Sequence, residues 1–501
     1  MTDVVLAIDC GSTNISVAAV DEFGRIVAES KSPNGPVRQT PDRDWLVWDV
    51  DAVWTKVAGC CRDVAGQVGN ELVRAVSVMT MGADGAPVTG DGRLTHPPIC
   101  WQCRRTEPVA ERLADSIGRR RLYEITGYHV IRFNTLFPLA WLRENAPEAL
   151  DEADRWLMMA GLLSHRLCGE MSLNITNAST MMMLDIERRA WSSELLDAVG
   201  VDESFFPELV YPGRVIGSVT NAAATATGLK AGTAVVAAGH DTQFAPIGSG
   251  AEPDEAVLSS GTWEIAMLRT ERPANNDAGF RGGLLNEVDA VAGLYDPQLL
   301  MMGSAVLEWV RERFYADLGD SDAAYGRMIE EARELPAGAE GLTMVPSFEP
   351  DTGPQSRYGT AGTLVGLRLS HGPAHIYRAA LEGLSFQLRE ALRTLTEATG
   401  MEPARVRVVG GGARNDIWNQ MRADVTGLPV VVTETREACT LGGAACAWVG
   451  VGRYESPVEA AAAIRPATTV LEPSSASDVY GELFRRYRML PPALEDFYKL
   501  R

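Results

Sequence analysis

Ala234-Val235-Val236-Ala237-Ala238-Gly239-His240-Asp241-Thr242 is an apolar run that ends in a glycine and delivers a carboxylate. A short apolar run closed by glycine reads as a strand buried on both faces. In an open α/β sheet, the carboxyl ends of such strands are where catalytic groups stand. Asp241 is therefore the candidate general base. It lies near the middle of 501 residues, between two polar hairpins, Asp9 to Asn14 and Ser259 to Thr262, which places a cleft between two halves.

The first hairpin belongs to a meander: Val4 to Ile8 is a strand, Asp9 to Asn14 a tight loop, Ile15 to Val20 a strand, and Arg25 to Glu29 a third after the turn Asp21-Glu22-Phe23-Gly24. Its loop joins two strands, so it is neither a Walker loop nor a dinucleotide fingerprint, both of which lead into a helix. The second hairpin repeats the outline, with Ala256 to Ser259, the turn Ser260-Gly261-Thr262, and Trp263 to Leu268. Each turn offers glycine, hydroxyls and free N–H groups, the chemistry that clasps a polyphosphate. Ile247-Gly248-Ser249-Gly250 has the small residues of a hinge or junction.

Helical spacing is expected over Asp51 to Gly66, Ala110 to Tyr123, Leu136 to Asn145, Asp154 to Leu167, His375 to Thr399, Ala413 to Val425, Gly442 to Gly450 and Val479 to Arg488. Ala75 to Thr80 and Val406 to Val409 read as strands, and Ala316 to Ser321, Pro350 to Ser356 and Pro473 to Ser477 as loops. Strand and helix signals alternate, so the fold class is α/β.

A net charge of −20 and a pI near 4.9 oppose nucleic acid or an anionic membrane as partner, since both need a basic footprint. The start Met1-Thr2-Asp3 has an acid where a signal peptide has a base, and no apolar run reaches membrane length, so a cytoplasmic protein is expected. The eight cysteines are then free thiols, with Cys60-Cys61 and Cys100-x-x-Cys103 read as buried structural groups.

Four further positions carry chemistry. Asp9 stands at the mouth of an anion-sized loop and is suited to ligate magnesium through water. Gly410-Gly411-Gly412 between strand and helix permits close approach to a flat or anionic ligand, which Asn415 can hydrogen-bond. Asp84 ends a strand in a small-residue loop fit to grip a hydroxyl. His240, Asp241 and Thr242 set three hydrogen-bonding side chains on one segment.

The order of these pieces resembles the FGGY family of carbohydrate kinases, whose fold is two actin-like (ribonuclease H-like) lobes from a duplicated unit with a nucleotide cleft between them. Phe133-Asn134-Thr135-Leu136-Phe137-Pro138-Leu139-Ala140-Trp141-Leu142-Arg143-Glu144-Asn145 resembles the N-lobe signature, and Tyr377-Arg378-Ala379-Ala380-Leu381-Glu382-Gly383 the C-lobe signature. The resemblance implies an N-terminal lobe over 1–249 and a C-terminal lobe over 250–501. It implies ATP with magnesium, and transfer of the γ-phosphate to the primary hydroxyl of a small-molecule ketose. L-fuculose comes first; L-rhamnulose, D-ribulose or D-xylulose are alternatives, and a non-kinase actin-like ATPase is the remaining one.

By position, the resemblance makes Asp241 the catalytic base and Asp9 the metal-associated acid. Gly11, Ser12, Thr13 and Asn14 with Ser260, Gly261 and Thr262 become the phosphate hairpins, and Gly410, Gly411, Gly412 and Asn415 the adenosine pocket. Asp84, Phe133, Asn134, His240 and Thr242 become sugar contacts, and a homodimer is implied. Pro138, Ala83 and the loop Pro350 to Gly359 depart from the family pattern and bear on sugar choice.

Overall fold

The computed structural model describes residues 2–319, 322–349, 352–435 and 437–500. Met1, and Asp320, Ser321, Pro350 and Asp351 of the expected loops, lie outside the described residues.

Two large sheets organise the chain. The first has six strands in the order Ile26–Pro33, Asn14–Asp21, Val4–Cys10, Val73–Thr80, Ala234–His240 and Val215–Ser218. The first three form the antiparallel meander, the next two run parallel to Val4–Cys10, and the last is antiparallel. The second sheet repeats this pattern of directions over Tyr295–Met302, Trp263–Met267, Glu255–Ser260, Arg405–Val409, Val430–Thr433 and Thr468–Leu471. The echo between the two hairpins is thus a repeat of whole sheets. One strand breaks the correspondence: Leu285–Val288 is added at the edge of the second sheet, antiparallel to Tyr295–Met302.

Both faces of the first sheet are covered, which is why its central strands are continuously apolar. On one face lies the helix Val50–Val68, capped by the Asp49 carboxylate, which accepts the Ala52 N–H at 3.0 Å. It packs Val53, Val57, Cys61 and Val64 with Leu6, Ile8, Val76 and Val78. The other face, with Val5, Ala7, Met79 and Val236, takes Leu441, Ala444, Ala445 and Trp448 from the helix Ala438–Gly450, far along the chain. That helix crosses the short helix Ala245–Gly248 with almost no gap. A Cβ on Gly248 would lie 1.8 Å from the Ala438 carbonyl oxygen, and one on Gly442 2.1 Å from that of Phe244. The small residues at both places are required by this crossing. The core of the second half forms around the 27-residue helix Pro373–Thr399.

Two expected helices of the first half differ. Ala110 to Tyr123 is split into Glu107–Ile117 and Arg119–Thr126, because Gly118 takes φ +94° and its N–H closes the first helix on the Ala114 carbonyl. Asp154 to Leu167 begins as the strand Arg155–Met158, antiparallel to Gly85–Val88, and becomes helical only at Met159–Cys168. Trp156, Leu157 and Met158 are all buried, and a short run buried on every side carries no period with which to tell strand from helix.

Among the described residues no helix is long and apolar enough to cross a membrane. All eight cysteines are free, and seven of them are buried.

Candidate active site

Three adjacent parallel strands deliver their carboxyl ends to one edge of the first sheet. In register, Asp9 lies beside Met79 and Met79 beside Gly239; Cys10 and His240 both pair with Thr80. With strands about 4.8 Å apart, this sets the Asp9 loop and the His240-Asp241 corner about 10 Å from each other across the end of Val73–Thr80. The Asp9 carboxyl is pushed up to about 7, by burial first and then by the charges of Asp241 and Glu437, with Lys31 opposing. Asp241 is also raised by burial, while the neighbouring His240 charge and the Thr242 hydrogen bonds pull it back. The two carboxylates therefore oppose each other's ionisation, in a place still open enough to leave the Asp241 side chain 27% exposed.

The Asp241 Oδ1 accepts the Thr242 N–H at 2.6 Å and the Thr242 hydroxyl at 3.2 Å, and the His240 Nε2 stands 3.5 Å away. The other ring nitrogen, Nδ1, is 2.8 Å from the Glu287 Oε2. Burial alone would lower the His240 pKa, but Glu287 and Asp241 carry it to about 9, so the ring is an imidazolium at neutral pH. Glu287 stands on the added edge strand Leu285–Val288.

The His240 ring also rests on the loop that holds Asp84. A Cβ on Gly82 would lie 2.6 Å from the His240 Cδ2, so only glycine fits there. Asp84 is 1% exposed; its Oδ2 accepts the Trp48 indole N–H at 2.5 Å, and its Oδ1 is buried without a partner. Burial pushes its carboxyl up to about 7, against the pull of the Trp48 and Trp101 N–H groups. Next to this loop, which the Thr135 hydroxyl ties down at the Ala83 carbonyl (3.4 Å), Asn134 keeps a buried Nδ2 that also lacks a partner. A buried acceptor and a buried donor in adjoining loops, each with hydrogen-bonding capacity left over, match a polyhydroxy ligand. Phe133 closes the group by packing edge-on to Trp101 at 5.8 Å, and the Trp101 indole donates to the Ser12 hydroxyl at 2.9 Å, linking this corner to the first hairpin.

That hairpin is closed by the Gly11 N–H on the Asn14 carbonyl at 2.9 Å and is clamped from outside by Asn34, whose side chain donates to the Gly11 carbonyl at 2.8 Å. In the second hairpin the Gly261 N–H meets the Trp263 carbonyl at 2.9 Å. Ser260 does not offer its side chain outward: its hydroxyl donates to Glu264 and accepts from Arg422, both at 2.7 Å, and all three side chains are fully buried. Whatever Ser260 gives a ligand comes from the shape of its turn. The glycine run packs on the same turn, since a Cβ on Gly412 would lie 2.0 Å from the Ser260 Oγ, whereas Gly411 faces open space.

The helix expected from Ala413 starts only at Asp416, after a short 3-10 turn Gly411–Arg414. Asn415 caps it, accepting the Trp418 N–H at 3.1 Å and donating to the Tyr377 hydroxyl at 3.1 Å. The structure thus gathers Asp9, Asp84, Phe133, Asn134 and the His240–Thr242 corner at the first sheet, and Ser260–Thr262 with Gly410–Gly412 at the second. Trp48, Glu287, Glu264 and Arg422 are additions that no sequence pattern announced.

The model for the N-terminal domain of the FGGY family of carbohydrate kinases matches residues 4–248, and that for its C-terminal domain matches residues 256–451. The chain belongs to the FGGY family of carbohydrate kinases. It is an ATP-dependent sugar kinase. The kinase is 40% identical to L-fuculokinase of Escherichia coli (strain K12) over 92% of its own length and 95% of that protein. It is 30% identical to rhamnulokinase of Pectobacterium carotovorum subsp. carotovorum (strain PC1) over 75% of its length and 74% of the relative. In fold, the kinase superposes on the crystal structure of xylulose kinase from Rhodospirillum rubrum with a TM-score of 0.87 at 23% identity, covering 99% of this chain and 100% of that one.

Proposed function

We propose that this kinase phosphorylates the primary hydroxyl of L-fuculose, giving L-fuculose 1-phosphate, with Asp241 as general base. The sugar rests on the similarity to L-fuculokinase, which is higher and runs over more of the chain than that to rhamnulokinase. The base assignment rests on one observation: the Asp241 carboxylate follows the end of a parallel strand, with Oδ1 taken by Thr242, next to the His240 ring that packs on Gly82 in the loop holding Asp84.

In this reading residues 1–249 and 250–501 are the two lobes, and the ketose lies against the first. Its hydroxyls supply the hydrogen bonds that Asp84 and Asn134 lack, and Phe133 and His240 flank it. Asp241 Oδ2 takes the proton of the C1 hydroxyl as that oxygen bonds to the γ-phosphorus of ATP. The bond from γ-phosphorus to the β,γ-bridging oxygen breaks, and ADP leaves. Gly11–Asn14 and Ser260–Thr262 hold the phosphates, and Gly410–Gly412 with Asn415 line the adenosine side.

Among the described residues no three His, Cys, Asp or Glu side chains cluster as a metal site. Asp9, whose carboxyl is raised by burial and by the charges of Asp241 and Glu437, fits a hydrated magnesium ion held mostly by phosphate oxygens, as that ion prefers. When bound, it would offset the charge of the polyphosphate and relieve the repulsion between the two carboxylates. Positioning and charge neutralisation then supply most of the rate, and the base about 10² to 10⁴ of it.

An ADP-release assay with ATP and magnesium across L-fuculose, L-rhamnulose, D-ribulose and D-xylulose tests the sugar; kcat/KM is expected to be highest for L-fuculose. Asp241→Asn should lower kcat by the factor above and leave the KM for ATP unchanged. Near-normal turnover in that variant would remove Asp241 from the mechanism.

A further inference from the structure

Glu287 is fully used. Its Oε2 accepts the His240 Nδ1–H at 2.8 Å and the Gln243 side-chain amide at 2.7 Å, and its Oε1 accepts the Gln298 amide at 2.7 Å and the Tyr128 hydroxyl. It is 2% exposed, and three of its four donors come from the first half of the chain while it stands in the second. The strand that carries it is docked on that half by its own backbone. The Asn286 N–H donates to the Gly127 carbonyl at 3.0 Å, and the Asn286 side chain donates to the Tyr123 hydroxyl at 3.3 Å.

A buried carboxylate with four donors from three directions is a fixed point, because moving it breaks several charge-assisted bonds together. The His240 ring is tied to it at Nδ1, lies on Gly82 and has its main-chain N–H held by the Thr176 hydroxyl at 3.0 Å, so its Nε2 has one remaining direction, toward Asp241.

We infer that Glu287 is a positioning residue for phosphoryl transfer: from the second lobe it fixes the His240 ring so that Nε2–H faces the Asp241 carboxylate and the reacting hydroxyl. The inference rests on the proposed roles of His240 and Asp241. The ionisable groups around the ring are Glu287, Asp241 and, across Glu287, Tyr128; Asp241 in turn interacts with Asp9, on which Glu437 and Lys31 also act. A held imidazolium steadies the ionised base before the hydroxyl proton arrives. It also makes the base depend on the second lobe staying docked.

The test is a double-mutant cycle on kcat with the preferred ketose. Glu287→Gln places an amide N–H₂ against donors and so removes the fixed point; it should lower kcat about 10²-fold, the scale of a misplacement near 1 Å, with the KM for ATP unchanged. In a His240→Gln background the same change should cost less than about twofold, because both substitutions break one unit. Additive losses, or kcat in Glu287→Gln within about twofold of wild type, would overturn the inference.

Should Glu287→Gln fail to fold, histidine ¹⁵N NMR of the wild-type protein decides. Both His240 ring nitrogens protonated at pH 8 is the expected result, and an unprotonated Nδ1 would overturn it. Asp241→Asn assayed in parallel separates the two readings: full turnover there would remove the base while leaving any Glu287–His240 coupling to be read from the cycle.

Discussion

Asp84→Asn should make the ligand-free protein more stable at alkaline pH and, on the proposed role of Asp84, weaken ketose binding. The wild-type carboxyl is raised from 3.8 to about 7, so the folded state binds the proton more tightly than the unfolded chain. That stability is complete below pH 3.8 and is lost as pH rises through about 7, where the buried group must ionise. Asparagine stays neutral throughout and can still accept the Trp48 indole N–H. About three pKa units at about 1.4 kcal/mol each set a ceiling near 4 kcal/mol, and local relaxation should leave about half of it. At roughly 2 °C per kcal/mol, the variant should melt about 4 °C above wild type at pH 8. The gap should shrink by more than half at pH 5. Thermal unfolding without ligands reads this directly, and steady-state kinetics should show a raised ketose KM with the ATP KM unchanged. A variant less stable than wild type at pH 8, by an amount independent of pH, would refute the account of Asp84 as a buried acid that costs stability when it ionises.

Three other outcomes follow from the packing. In the buried Arg422–Glu264 pair, Glu264 can take up a proton when left alone, since burial already raises its carboxyl, but a guanidinium cannot shed one. Glu264→Leu should therefore cost about 3–5 kcal/mol in chemical denaturation and Arg422→Met clearly less, with the double replacement milder than the worse single one; equal costs would contradict this. Gly248→Ala drives a methyl to 1.8 Å from a backbone oxygen that cannot rotate away, so a loss of about 3 kcal/mol, measured as a melting point roughly 6 °C lower, is expected. Trp101→Phe removes the hydrogen bond to Ser12 without emptying the space beside Phe133, and should raise the ATP KM about two- to tenfold while sparing the fold.

The meander, the repeated hairpin and the strand ending at Asp241 could be read from the sequence because each is a local pattern: an apolar run, a tight polar turn, a glycine. The small-residue helix near Gly442 was visible for the same reason. The strand inside Asp154 to Leu167 is not legible because Trp156, Leu157 and Met158 are all buried and carry no period, and the break at Gly118 is not legible because a lone glycine in a helical run does not announce a positive φ. In the candidate site, Asp9 and Asp241 stand out because each lies at the carboxyl end of a strand, and Asp84 because it lies in a small-residue loop shortly after one. Glu287, Glu264 and Trp48 do not, since each is one polar or aromatic residue in an ordinary run, and its meaning comes from residues tens to hundreds of positions away. Ser260 shows the reverse limit. Its motif drew attention to a hydroxyl that the fold commits to Arg422 and Glu264.

The helix Ala438–Gly450 gives the protein a particular hour of weakness during its manufacture. When the ribosome has made the first sheet in full, one apolar face of that sheet, with Val5, Ala7, Met79 and Val236, still lacks its cover. The covering helix is about 200 residues behind, or roughly 10 to 40 s at ordinary rates of elongation. For that interval the nascent chain presents a greasy plate to the crowded cell, an invitation to chaperones and to neighbouring chains alike. A gene encoding residues 1–249 alone would make the interval permanent, and its product should aggregate; supplying the rest of the chain in trans should rescue it.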